Sequence, residues 1–281
     1  MPQRRGFTLV EILLALVIMG VVTGALYRLL NTSQRLAVAQ AEQVSLQSNV
    51  RTGSLVVPNE LRELNTWQGG AAAQNDVTVA DADGITYRAM RGLGFVCQAP
   101  AANELRVRQS SWTGLRAPDV ARDDLYLFVD GNTDEDNDDG WLQMNITGVA
   151  FSATACGAGA PGYLLTVAGP PAVSINTPVR TFELMRLELY ADDGQWWLGA
   201  SSVNVDLEPQ PMLGPLTDDG FALEYLNAAG AVTADLTAIK SIRLTVRGRT
   251  DGGVRAGGSG PMGYPEEALV TQVLLRNSIR P

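Results

Sequence analysis

The stretch Arg4-Arg5-Gly6-Phe7-Thr8-Leu9-Val10-Glu11-Ile12-Leu13-Leu14 decides how the rest of the chain is read. A short basic leader ends in Gly6. Phe7 to Tyr27 then form 21 residues whose sole charge is Glu11, and Arg28 closes the run. At ~1.5 Å rise per residue, about 20 apolar residues cross the hydrocarbon core of a bilayer. A carboxylate inside such a segment costs roughly 2.5–3.5 kcal/mol on insertion scales, so Glu11 reads as functional by default.

Orientation follows from the flanks. Arg4 and Arg5 precede the apolar run, and no further Lys or Arg occurs before Arg28. Positive charge on the leader side keeps the N-terminus cytoplasmic and sends the remaining chain outward. A cleaved secretory signal is the competitor, but no small-x-small site stands out after the apolar core.

In its order of basic flank, Gly6, Phe7, Thr8-Leu9-Val10-Glu11 and apolar run, the N-terminus resembles the processing site of type IV prepilins and type II secretion pseudopilins. The resemblance implies that a prepilin peptidase cuts after Gly6 and N-methylates Phe7. It also implies that Glu11, fifth after the cut, is the assembly glutamate. The expected partners are other pilins or pseudopilins, the peptidase, the inner-membrane assembly platform, and membrane lipid along residues 7–27. The expected location is the bacterial inner membrane, single-pass with the head in the periplasm or outside, and then a fibre.

Composition narrows the classes further. A chain of 281 residues with 46% apolar content can bury a substantial core. The formal charge of −9 argues against a generic nucleic-acid binder. The absence of histidine removes Ser-His-Asp and Cys-His catalysis, and with no nucleophile motif the chain reads as a non-enzyme. No cofactor is required. Two cysteines, Cys97 and Cys156, cannot make a four-cysteine zinc site. In an extracytoplasmic head they are expected to pair, with two buried free thiols as the alternative.

Beyond Arg28, residues 29–57 are rich in helix formers and lack proline. Ala37, Ala41, Val44, Ser48 and Leu55 recur at three-, four- and seven-residue steps, which predicts the face laid on a sheet. Val57 precedes Pro58 and is expected to kink or end the helix. A further short helix then runs through Leu61 and Leu64. Within the membrane segment Gly20 and Gly24 form a small-xxx-small pair, read either as close packing on a neighbouring helix or as local flexibility.

From Gln68 the texture changes to short apolar runs separated by Gly, Pro, Asn and Asp. This predicts antiparallel strands near 85–90, 105–109, 125–129, 142–151, 164–167, 182–190, 196–200, 221–226, 239–247 and 269–276. Gly248–Glu267 is glycine-rich and predicts a mobile surface loop. The adjacent Trp196 and Trp197 should point to opposite faces. The last third, from Gly220-Phe221 through Ile239–Val246 to Leu275-Arg276-Asn277, is similar to the PilW and GspJ branch of the superfamily.

Asp130, Asn132, Asp134, Asp136 and Asp138 alternate in a loop with six acidic residues in eleven. Closely spaced oxygen ligands suit calcium. The loop departs from an EF-hand, because Glu135 occupies the glycine place. The alternative is a solvated acidic turn.

The expected fold is α+β. Residues 1–6 are the leader, 7–28 the transmembrane and assembly helix, 29–67 its amphipathic continuation, and 68–281 an antiparallel β-rich head. The expected function is that of a minor pilin priming or capping a type IV pilus. The alternatives are a GspJ-like pseudopilin of a type II secretion system, and an adhesion or DNA-uptake module displayed on a fibre.

Overall fold

The computed structural model describes residues 8–66, 75–130, 140–169, 171, 173–255 and 261–276. One helix, α1 (Leu9–Arg62), opens the chain. Fourteen strands follow: β1 (Val77–Ala80), β2 (Gly84–Ala101), β3 (Glu104–Arg108), β4 (Thr113–Gly114), β5 (Asp123–Val129), β6 (Gly140–Ser152), β7 (Gly162–Val167), β8 (Pro178–Asp192), β9 (Gln195–Ser202), β10 (Asp206–Leu226), β11 (Ser241–Arg249), β12 (Val254–Arg255), β13 (Met262–Gly263) and β14 (Glu266–Leu274). The fold is α+β, as the sequence predicts, and every pairing is antiparallel.

The helix buries Leu46, Val50, Gly53, Ser54, Val57, Pro58 and Leu61. These positions recur at steps of three and four and form one stripe. They pack on β10, β11 and β14. This corrects the sequence expectation, since Ala37, Ala41, Val44, Ser48 and Leu55 are all exposed. The expected stripe lies on the opposite side of the helix, and contact with the head starts at Glu42, whose carboxylate accepts from the Gly252 amide at 3.2 Å. The kink or end expected at Val57 is also corrected, because the helix runs through Pro58 to Arg62. An interior proline costs about 3 kcal/mol. Burying Val57 and Leu61 contributes roughly 1.5–3 kcal/mol each, which exceeds that cost.

Close approach requires glycine at the contact. A β-carbon at Gly53 would collide with the buried Leu213 side chain on β10. One at Gly248 on β11 would sit 2.8 Å from Leu46 Cδ1 and from Val50 Cγ2. Glycine on each partner lets helix and sheet meet.

The sheet contains two parts with separate cores. The first half of β2 pairs with β8, from Gly84↔Glu188 to Phe95↔Pro178. Its second half turns to β3, beginning at Val96↔Val107. From β3 the ladder continues through β7, β6 and β5 back to β8. Those six strands therefore close on themselves around Val96, Leu105, Val107, Leu125, Leu127, Ile146, Leu165 and Val179. The open wing runs from β8 through β9, β10 and β11 to β14, and its core includes the helix stripe. Cys97 of β2 is bonded to Cys156, in the turn after β6, with α-carbons 5.5 Å apart.

Each of the ten expected strands coincides with an observed one, although 105–109, 239–247 and 269–276 overrun the observed bounds by one or two residues. The sequence reading missed β1, β4, the second half of β2 and the first half of β10; in the last, Pro209, Pro211 and Pro215 suppress a strand assignment. That half pairs with β9 through repeated register shifts, which is where a sheet tolerates proline. Part of the expected loop at Gly248–Glu267 is strand: β11 runs to Arg249, β12 pairs with β13, and β14 starts at Glu266. Trp196 packs on the core that includes the helix stripe, while Trp197 lies over Gly214 on the other side of the strand.

Candidate functional site

The free half of α1 is the feature least explained by the head. Between Leu9 and Leu30 its large apolar side chains are more than half exposed, with Leu9 at 75% and Val17 at 64%. This half is long and apolar enough to cross a membrane, and none of its apolar window is buried. An unburied stripe of this size needs another apolar environment, either lipid or other helices. A β-carbon at Gly20 or Gly24 would meet nothing within 4 Å, so neither glycine packs on another element among the described residues.

The helix start is defined by Thr8. Its backbone is extended, and its side-chain oxygen accepts from the Glu11 amide at 3.4 Å. Thr8 and Glu11 thus stand at the N-cap and third helical positions, the spacing of a capping box. Glu11 has a local role in addition to the assembly role expected of it: an acid in the first turn complements the helix dipole. Gly6 and Phe7 lie outside the described residues.

Of the expected calcium ligands, Asp130 is described and exposed. Asn132, Asp134, Asp136 and Asp138 lie outside the described residues. No group of three acidic or cysteine side chains is placed to hold a metal among the described residues.

Charge is concentrated where the two cores meet. Glu183 on β8 is buried and receives Arg91 at 3.0 Å, Arg116 at 3.2 Å and the Ser202 hydroxyl at 2.6 Å. Burial pushes its carboxyl up, but the Ser202, Arg91 and Arg116 hydrogen bonds outweigh burial and hold it below the ordinary range. Arg116 also grips the buried Asp123 with both terminal nitrogens, at 2.6 and 2.7 Å. Such bidentate pairs fix geometry and so lock the β3–β5 connection onto β8.

A second buried acid, Asp76, ties the helix end to the sheet. Its Oδ2 accepts from the Asn65 amide at 2.7 Å, and its own amide donates to the Asn65 carbonyl at 2.9 Å. Burial pushes its carboxyl up to about 7, against the Asn65 hydrogen bond and the charges of Arg88 and Arg180. Sequence reading passed over Asp76, Arg88 and Arg180. The alternation of Arg88 with Tyr87 and Ala89 is the only sign it offered.

Residues 1–27 match the family model described as the prokaryotic N-terminal methylation motif. No curated protein and no solved structure matches the chain. The prepilin methylation motif supports a pilin or pseudopilin type of function, that of a structural subunit that assembles with other pilins and is processed by a prepilin peptidase.

Proposed function

We propose that this chain is a minor pilin, held in the bacterial inner membrane by the first half of α1 and drawn from there into a type IV pilus. The observation that carries the reading is the exposed apolar half-helix, most of which lies inside the methylation motif of residues 1–27. In the membrane, lipid covers this half. In a fibre, the corresponding helices of neighbouring subunits replace lipid, and the head rides outside. The size of the head, with two cores and a disulfide, suits a specialised component better than a repeating one.

Assembly is a problem of matching charge in a low-dielectric setting. Cleavage after Gly6 creates an amine at Phe7, within a few residues of Glu11. Glu11 of an incoming subunit pairs with the Phe7 amine of a neighbour. Each charge then offsets the desolvation of the other, and an unpaired one would carry that cost alone.

Replacing Glu11 with Ala tests this role. The variant should insert and fold as the parent does, because the head makes no contact with Glu11. Its co-purification with partner pilins should fall by about tenfold or more, the loss expected from removing one partner of a buried pair. Undiminished co-assembly at equal abundance would show that head contacts drive incorporation and that Glu11 serves only the helix cap.

A further inference from the structure

The far end of α1 and strand β2 enclose a groove of about 670 Å³. Its polar wall includes Arg88 and Arg180, and its apolar wall includes Leu64, Leu93 and Leu115. The two arginines are held unlike those of the Glu183 network. Arg180 lies 4.4 Å from the centre of the Trp141 ring. Arg88 lies 5.6 Å from Phe182 and 6.0 Å from Tyr126, and donates to the Asn75 carbonyl. Among the described residues neither guanidinium has a carboxylate within ion-pair distance. Asp76 acts on both from further off, but it is buried and turned to the Asn65 amide. Arg88 is further engaged by the Tyr126 hydroxyl and by the charge of Asp124, which leaves Arg180, stacked on Trp141, as the principal donor for an anion in a chain of net charge −9.

The surroundings select among anions. The groove lies roughly 48 Å along the helix from Tyr27 at the α-helical rise, so lipid headgroups do not reach it. Glu60 and Glu63 also line it and repel an extended polyanion such as nucleic acid. Leu115, 80% exposed at the rim, offers an apolar contact beside the charge. We infer that this groove binds a carboxylate-bearing peptide segment of a partner protein, with apolar residues flanking the acid. The partner being a neighbouring fibre subunit rests on the minor-pilin reading. The groove chemistry does not, and leader processing tests that reading separately.

The full chain in detergent micelles is titrated with acetyl-Leu-Glu-Leu-Glu-amide, with its glutamine counterpart, and with inorganic phosphate, followed by calorimetry and by Trp141 fluorescence. The acidic peptide should saturate. Arg180→Gln should weaken it by about tenfold or more with an unchanged melting midpoint, as for a lost charge-assisted hydrogen bond. Arg180→Lys should recover part of the loss. The glutamine peptide should not bind. Equal binding by the Arg180→Gln protein, equal binding of the glutamine peptide, full competition by phosphate, or no binding at all would each overturn the assignment.

Discussion

At the residue scale, Asp76 shows how one buried acid sets a pH dependence. Its folded carboxyl titrates at about 7, raised by burial from an ordinary 3.8. The folded protein therefore holds this proton more tightly than the unfolded chain. The stabilising contribution is complete below the ordinary value and is lost as pH rises through about 7. Asp76→Asn keeps an acceptor for the Asn65 amide and removes the titration. Relative to the parent, the variant should gain stability as pH goes from about 5 to about 8, read from urea midpoints of the full chain. A parent–variant difference that is the same at both pH values would contradict the account. Glu183 does not confuse this window, because its carboxyl is held below the ordinary range and titrates at more acid pH. Glu11 was legible as a residue, since a lone acid in an apolar run is conspicuous in any sequence. Its place in a capping box with Thr8 was equally written there, in the Thr-x-x-Glu spacing, and went unread.

At the element scale, α1 was legible as a helix and misread as a face. Small residues at three- and four-residue steps mark a stripe, yet periodicity alone does not say which stripe the sheet takes. Gly53 gives the missing clue. A glycine mid-helix costs about 1 kcal/mol against alanine, so its presence implies close approach of another element. Here that element is β10, through Leu213, with Val246 of β11 beside it. Gly53→Leu should separate helix from sheet and destabilise the head by about 1–3 kcal/mol, the usual cost of overpacking. Thermal melting of the full chain in micelles would register it. A midpoint within a degree of the parent would place the helix elsewhere. The early half of β10 was hidden for a different reason. Its prolines remove ladder donors and signal loop to any local reading, whereas the register shifts against β9 absorb them.

At the scale of the whole molecule, the strands were legible and their order was not. Alternation of apolar and polar residues marks strands such as β11, but β2 changes partner midway from β8 to β3, and no local pattern encodes that switch. The closed six-strand ring and its separate core follow from the switch alone. The disulfide was within reach of sequence, since two cysteines leave one intramolecular pairing, and it staples this ring across a separation of 59 residues. The long-range arrangement serves one end: it offers the helix a broad apolar seat from Leu46 to Leu61 and leaves the first half of the helix free. That free half, most of it within the methylation motif, carries the central claim that the chain is a processed fibre subunit. N-terminal mass spectrometry of the protein from cells with an active prepilin peptidase tests it most directly. The account predicts a mature chain that begins at Phe7 and carries one added methyl group on its amine. An intact leader, or a cut beyond the apolar run, would contradict it.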